Sequence, residues 1–234
     1  MKGNGKIQVL EFLRFLSLTE VFLVHYMNDY IHSEEGLKIV MVSGKLGVAF
    51  FFMITSYLLV LTTEPWTKGF LKRKAIQLLP KYELILVAVF VGSKFAPGLF
   101  RTLDTSNSSF IKSMLLIPYK TPGVPFSCPM LPVAWTLGVQ AVLFIVFWVL
   151  MSIFKSTNIA AVASIVLIVI LVNIGSFVGY ENIISFTYCR FYMLYFVTGF
   201  ITALFEKSIW KNKNIKIKSG GGQYFFLYGV VVCY

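Results

Sequence analysis

Long apolar runs alternate along this chain with short basic or polar intervals. The runs at 44–63, 157–175 and 188–205 each approach the roughly 20 apolar residues that cross a bilayer core. We therefore predict an all-α fold, a polytopic transmembrane helical bundle with about seven spans. They are drawn at about 8–28, 44–63, 82–99, 131–153, 157–175, 188–205 and 223–234.

The intervals between the runs favour one membrane-embedded domain over 1–234. Segment 100–130 is rich in Ser, Thr, Asn and Pro, and we expect an outer loop with a short amphipathic piece at 109–117. The run at 223–234 starts a span without completing it, so we expect C-terminal spans to be missing. The first run carries charges and has no small-residue cleavage site, which argues against a cleavable signal peptide.

Composition agrees with a membrane protein, since 57% of residues are hydrophobic and only 13% charged, against about 25% charged in soluble domains. The net charge of +11 would also fit a nucleic-acid binder. However, the Lys and Arg residues concentrate at 68–81 and 207–218, on the same predicted side as the N-terminus. This bias follows the positive-inside rule, so we predict a cytoplasmic N-terminus, a lipid-bilayer setting and no nucleic-acid partner.

Cysteine usage gives no sign of a covalent or metal framework. Cys128, Cys189 and Cys233 are widely spaced and form no Cys-x-x-Cys pair. We therefore predict neither a disulfide framework nor a metal site.

The first run keeps ionisable residues on one helical face. Arg14 and His25 are eleven residues apart, which is three turns plus about 20° and about 16 Å of rise. Glu11 precedes Arg14 by three residues and Asp29 follows His25 by four, so all four share the stripe. An Arg inside a spanning helix costs about 2.5–3.5 kcal/mol on insertion scales, which makes function the default hypothesis. The alternative is that Arg14 and Glu11 snorkel to one interface while His25 and Asp29 reach the other.

The spacing of Arg14 and His25 resembles the signature of the acyltransferase type 3 family, integral-membrane O-acyltransferases of bacterial surface polysaccharides. Four further blocks resemble the family's motifs in the same order. They are "GKLGVAFFFMITSYLL" from Gly44, "FLKRKAIQLLPKYEL" from Phe70, "AWTLGVQAVLF" from Ala134 and "RFYMLYFVTGF" from Arg190.

Some positions depart from the family's pattern. The Ser-Gly of the second block reads Thr55-Ser56, and the two Arg of the third read Lys74 and Gln77. The Glu of the fourth block is Gln140. Lys keeps a charge but loses the bidentate fork of Arg, whereas Gln keeps hydrogen bonding without charge.

The resemblance implies transfer of an acyl group, commonly acetyl, from cytoplasmic acetyl-CoA or another acyl-CoA to a glycan hydroxyl in the bacterial cell membrane, with no bound cofactor. His25 would act as general base or transient acyl carrier, because a His pKa lies near the operating pH. Arg14 would hold the donor, and Asp29 and Glu11 would orient their neighbours. The basic residues Lys72, Arg73 and Lys74 would attract the polyanionic donor.

Three further residues would line the site, namely Trp135, Gln140 and Arg190. Trp135 is also typical of an interfacial anchor. Two other functions remain open. Ionisable residues on one intramembrane stripe also fit a proton-coupled transporter, and the short chain fits an inactive remnant of an acyltransferase.

Overall fold

The computed structural model describes residues 2–27, 34–63, 69–100, 103–119 and 130–211. Every regular element in these ranges is helical, which confirms the predicted all-α bundle. The helices are α1 (Lys2–Met27), α2 (Glu34–Thr62), α3 (Phe70–Phe95), α4 (Asn107–Met114), α5 (Trp135–Phe154), α6 (Thr157–Val178), α7 (Ile183–Tyr188) and α8 (Leu194–Lys211). Short 3-10 turns occupy Pro97–Leu99, Pro132–Ala134 and Phe191–Met193.

Five described segments are long and apolar enough to cross a membrane, which confirms a polytopic membrane protein. They are Met41–Thr62, Phe70–Phe95, Pro132–Phe154, Thr157–Val178 and Ile183–Ile209. Helix α1 has 26 residues and covers the predicted span 8–28 up to Met27, but it carries Glu11, Arg14 and Glu20. The predicted span 223–234 lies outside the described residues, so a total of about seven remains a prediction.

Helix α3 begins well before its predicted start at residue 82. Gly69, at φ 80°, precedes the first turn, and its carbonyl accepts the Arg73 amide at 2.9 Å. Phe70 is buried at the start of the helix, and the helix continues through the basic residues 72–74, which the predicted spans leave in a loop. The helix ends at Phe95 because Ala96 leaves the helical region and Pro97 follows. Lys72, Arg73 and Lys74 therefore lie on a helix, and the loop prediction is wrong.

Helix α2 lies at the centre of the bundle, between α1 and α8. A Cβ added to Gly47 would stand 2.8 Å from the Ser17 carbonyl oxygen on α1. A Cβ on Gly199 of α8 would stand 2.1 Å from both the Met53 carbonyl and the Ser56 hydroxyl. A Cβ atom does not fit at such short distances from its neighbours. Glycine at these two positions therefore allows the three helices to pack closely.

Segment 103–119 packs along the side of α3. The Lys94 ammonium donates to the Thr105 carbonyl at 3.2 Å, and the Phe90 and Phe110 rings stack at 4.3 Å. Further down, the Tyr82 hydroxyl donates to the Ser113 carbonyl at 2.7 Å. The segment thus descends about 18 Å along α3. Helix α4 overlaps the short amphipathic piece expected at 109–117. The placement of 100–130 outside the membrane remains a prediction.

The start of α4 is fixed by a small polar cluster. The Asp104 carboxylate accepts the Ser106 amide at 3.1 Å and also the Ser109 hydroxyl. The Ser106 hydroxyl in turn accepts the Ser109 amide at 3.1 Å, which is an N-cap. The bond from Ser109 is the main reason that the pKa of Asp104 lies below its ordinary value, with the Ser106 bonds and the positive charge of Lys112 adding to it.

Candidate functional site

Arg14 lies over the face of Phe51, with its guanidinium carbon 5.0 Å from the ring centroid. Phe51 is 1% exposed and stands near the middle of the apolar segment Met41–Thr62. A guanidinium beside a buried ring at this height is a cation–π contact within the span. It favours the functional reading of Arg14 over snorkelling to an interface.

Close packing of α1 on α2 sets the height of this contact. The two helices approach closely at two points. Gly47 lies against the Ser17 carbonyl, and Gly44 lies against Val24, whose side chain would be 2.7 Å from an added Cβ. Because His25 follows Val24, the turn that carries it lies beside Gly44. The side chains of Glu11 and His25, and all of Asp29, lie outside the described part of the chain.

Trp135 begins α5 within an aromatic cluster rather than at a bundle end. Its ring meets Phe52 edge-on at 6.0 Å and Tyr192 at 5.0 Å. Phe52 also stacks on Phe196 at 4.2 Å. Since Phe52 follows Phe51, Trp135 and Arg14 lie at a similar height on two sides of α2. This packing speaks against the interfacial-anchor reading of Trp135.

Gln140 is fully buried one turn further along α5. Its side-chain amide donates to the Thr55 hydroxyl at 3.2 Å. Its Oε1 atom has no hydrogen-bond partner within the described residues. A buried acceptor of this kind is rare in native structures and calls for a water or a ligand donor. The structure thus brings together two of the positions that depart from the family pattern, 55 and 140.

A second group of polar side chains occupies the end of the bundle where α2 ends and α3 begins, called here the basic end. Lys72 and Arg73 are exposed, while the Lys74 ammonium lies 5.9 Å from the Phe70 ring centroid and 5.3 Å from that of Phe144. Among the described residues, no side chain caps the N-terminus of α3 at Gly69. The free amides of such a terminus attract anions, as do the neighbouring cations.

Sequence reasoning missed a polar contact between α2 and α8 near this end. The buried Tyr57 hydroxyl donates to the Glu206 carboxylate, and the Lys207 ammonium donates to the Val60 carbonyl at 2.8 Å. In the sequence, Tyr57 stands within the motif block that begins at Gly44, and Lys207 begins the basic interval 207–218. The available signal was an acidic residue, Glu206, directly after the apolar run 188–205.

Arg190 lies beside the aromatic cluster, since the Tyr192 hydroxyl donates to the Phe186 carbonyl at 3.2 Å and Arg190 contacts the Phe186 ring. Its guanidinium carbon lies 4.5 Å from the Phe186 ring centroid and 5.5 Å from that of Tyr180, at the turn between α6 and α7. Neither ring belongs to the cluster around Trp135. Among the described residues, no group of three or more His, Cys, Asp or Glu residues is placed to hold a metal ion.

Comparison with known proteins adds independent information. Among curated proteins, the chain is similar to the exopolysaccharide production protein ExoZ of Rhizobium meliloti (strain 1021), with 24% identity over 165 residues. That match covers 69% of this chain and 51% of ExoZ, so the chain spans about half the length of this relative. No solved structure matches the chain.

The family match extends over nearly the whole sequence. Residues 7–234 match the acyltransferase type 3 model, which is described as an acyltransferase domain. The matched range contains all five motif blocks and the α1, α2 and α5 contacts described above. The chain therefore belongs to the acyltransferase type 3 family.

Proposed function

We propose that the protein transfers an acyl group, most simply acetyl, from cytoplasmic acyl-CoA to a hydroxyl of a cell-surface glycan. One observation carries the proposal: Arg14 rests on Phe51 at mid-span, on the helix face that continues to His25. Membership of an acyltransferase family supports the reaction class. The printed role of ExoZ in exopolysaccharide production supports a glycan as acceptor.

In the proposed reaction, the acceptor oxygen bonds to the acyl carbon and the carbon–sulfur bond of the thioester breaks. His25 takes the hydroxyl proton, and coenzyme A leaves as a thiolate that is then protonated. A hydroxyl needs such a base because it is a poor nucleophile near neutral pH. His25 as a transient acyl carrier is the variant of this scheme that leaves the same products.

The other predicted residues take supporting roles. Arg14 binds donor phosphates or pantetheine carbonyls through its planar fork, with Glu11 orienting it, and Asp29 orients the His25 imidazole. Trp135, Gln140 and Arg190 line the path of the reactants. The Oε1 atom of Gln140 offers an acceptor that a pantetheine amide or a water would satisfy.

The basic end is proposed to face the cytoplasm and collect the donor. Lys72, Arg73 and Lys74 lie there in the first turns of α3. A single cysteine at 72 should then react with an impermeant reagent only in inside-out vesicles, and one at 106 only in intact cells. Labelling of position 72 from outside intact cells would reverse the orientation.

The chain's two histidines give a matched test of the mechanism. His25→Ala should reduce glycan acetylation by about 10²–10⁴, the usual worth of a proton-transfer group. His32→Ala, seven residues away, should retain wild-type transfer at equal protein level in the membrane. Glycan acetylation in cells is the measurement, made in the full-length reading frame. Full activity of His25→Ala would end this mechanism and return the stripe to the transporter reading.

A further inference from the structure

Helix α6 buries one side and exposes the other. Only 22% of its most apolar stretch is buried. The buried side packs towards α5 and α8 and consists of Thr157, Ala160, Ala161, Ser164, Ile168 and Gly175. The opposite side, called here the exposed face of α6, consists of Ile159, Val162, Val166, Val169, Asn173 and Ser176.

The residues of the exposed face follow one another at alternating steps of three and four positions. A pattern of this kind repeats every seven residues, as do the a and d positions by which two helices pack along their length. Apolar side chains at these positions would suit lipid equally well. The spacing alone therefore does not identify what covers the face, and the evidence for a partner comes from Asn173.

Asn173 places an amide inside the apolar part of the helix. The uncharged stretch 159–178 is 20 residues long, which is the length that crosses a bilayer core. Asn173 lies five residues before the end of this stretch, about 7–8 Å inside it. An amide at that depth is costly in lipid unless its hydrogen bonds are made.

The structure gives the Asn173 side chain one hydrogen bond. Its Nδ2 atom donates to the Val169 carbonyl at 2.8 Å, within α6 itself. Its Oδ1 atom has no partner among the residues that the structure describes. Asn side chains in membrane-spanning helices hydrogen-bond across helices, so the exposed face needs a polar partner at the height of Asn173.

We propose that the exposed face of α6 is an interface between two copies of this chain, in which the two Asn173 amides hydrogen-bond to each other. An amide has both donors and an acceptor, so it is complementary to itself. A two-fold axis along the membrane normal brings the same residue of both copies together. The face carries no charge, so this amide is the polar group that a partner must match, and a second copy matches it.

The rest of the exposed face fits this arrangement. Two copies in one membrane have the same orientation, so their α6 helices run parallel. Ile159, Val162, Val166 and Val169 are β-branched, and β-branched residues with one Asn at an a position are typical of parallel two-stranded packing, in which the Asn fixes the register. The inference does not depend on the proposed acyl transfer.

Disulfide cross-linking tests the interface in the full-length reading frame. Single cysteines replace Val166 or Ile174 in a background in which Cys128, Cys189 and Cys233 are alanine. The two positions are similarly exposed, at 53% and 48%, but Ile174 lies about 100° to the side of Asn173. With copper phenanthroline as oxidant in native membranes, Val166→Cys should form a linked dimer at least fivefold faster than Ile174→Cys. If lipid or further spans of the same polypeptide cover the face, both positions react equally slowly, and the interface is overturned.

Substitution of Asn173 tests the contribution of the amide. Asn173→Val should lower the association constant in liposomes, measured by energy transfer between labelled copies, by about threefold or more. Asn173→Ile combined with Ile174→Asn keeps the composition but moves the amide off the face, and should weaken association equally. Unchanged association in both variants would overturn the pairing of Asn173. If the variants do not fold, the wild-type chain decides, since a monomer at every protein-to-lipid ratio would overturn the dimer.

Discussion

Helices α2 and α3 are consecutive in the chain and both carry family motifs, yet they meet their surroundings in opposite ways. In α2, 67% of the most apolar stretch is buried, against 11% in α3. The motif residues of α2 pack on α1 and α8 through glycine contacts, while those of α3 start a helix that presents cations. A motif can therefore record close packing in one helix and ligand access in the next.

The close packing of α2 on α8 is tested most strongly by a substitution at Gly199. Its added Cβ would stand 2.1 Å from a backbone oxygen of α2, a contact that no rotamer change relieves. Gly199→Ala should destabilise the protein by about 3 kcal/mol, the upper part of the range for overpacking. Thermal unfolding in detergent, followed by the monodisperse fraction, measures the effect.

Gly92→Ala is the matched control on α3. Its Cβ would meet only the end of the Phe100 ring at 3.3 Å. The gain in helix propensity of up to about 1 kcal/mol offsets that contact. Equal melting temperatures of the two variants would show that α2 and α8 are not held as closely as described.

Arg14 packs on Phe51 of the buried helix α2 and is also proposed to bind the donor. Arg14→Lys should lower transfer at least tenfold at unchanged protein level, since a point charge does not reproduce the planar fork. Lys45→Arg, an exposed position on α2, is the control and should leave transfer unchanged. Wild-type turnover in Arg14→Lys would assign the residue to packing alone.

If the cations of α3 collect the donor, their removal should change the KM for acetyl-CoA. The double variant Arg73→Gln with Lys74→Gln should raise the KM for acetyl-CoA several-fold and weaken its dependence on salt, with less change at saturating donor. Lys38→Gln with Lys45→Gln removes the same charge from α2 and should leave the KM unchanged. If both pairs behave alike, the residues of α3 serve topology only.

The smallest expected effect concerns Asp104, whose cluster starts α4. Because the pKa of Asp104 is lower in the folded protein, its contribution to stability is complete above its ordinary pKa of about 3.9. That contribution disappears as the pH falls through the folded pKa. Asp104→Asn should therefore lower the melting temperature at pH 7 by roughly 1–2 °C, as for a partly exposed pair. The difference from wild type should vanish in strong acid, and a constant difference at every pH would contradict the assignment.

The sequence pattern was sufficient to predict the helical fold class, because apolar runs of bilayer length are typical of membrane-spanning helices. It also placed Arg14 and His25 on one face, since helix geometry is local. It failed at the start of α3, where Lys72 and Lys74 looked like loop residues but belong to a helix whose first residue, Phe70, is buried.

Tertiary features lay beyond the sequence reading. Nothing local distinguishes Gly199, which touches Met53 and Ser56, from a glycine that touches little, such as Gly92. The bond from Gln140 to Thr55 joins residues 85 positions apart, and no periodicity predicts such a pair.

The hydrogen bond between Tyr57 and Glu206 joins residues that are synthesised at different times. The two residues are 149 positions apart, so a ribosome that adds about 5–20 residues per second needs roughly 7–30 s to make Glu206 after Tyr57. Throughout that interval the Tyr57 hydroxyl lacks the Glu206 carboxylate to which it donates in the finished protein. The contact between α2 and α8 therefore forms late, after the helices between them in the sequence have been made.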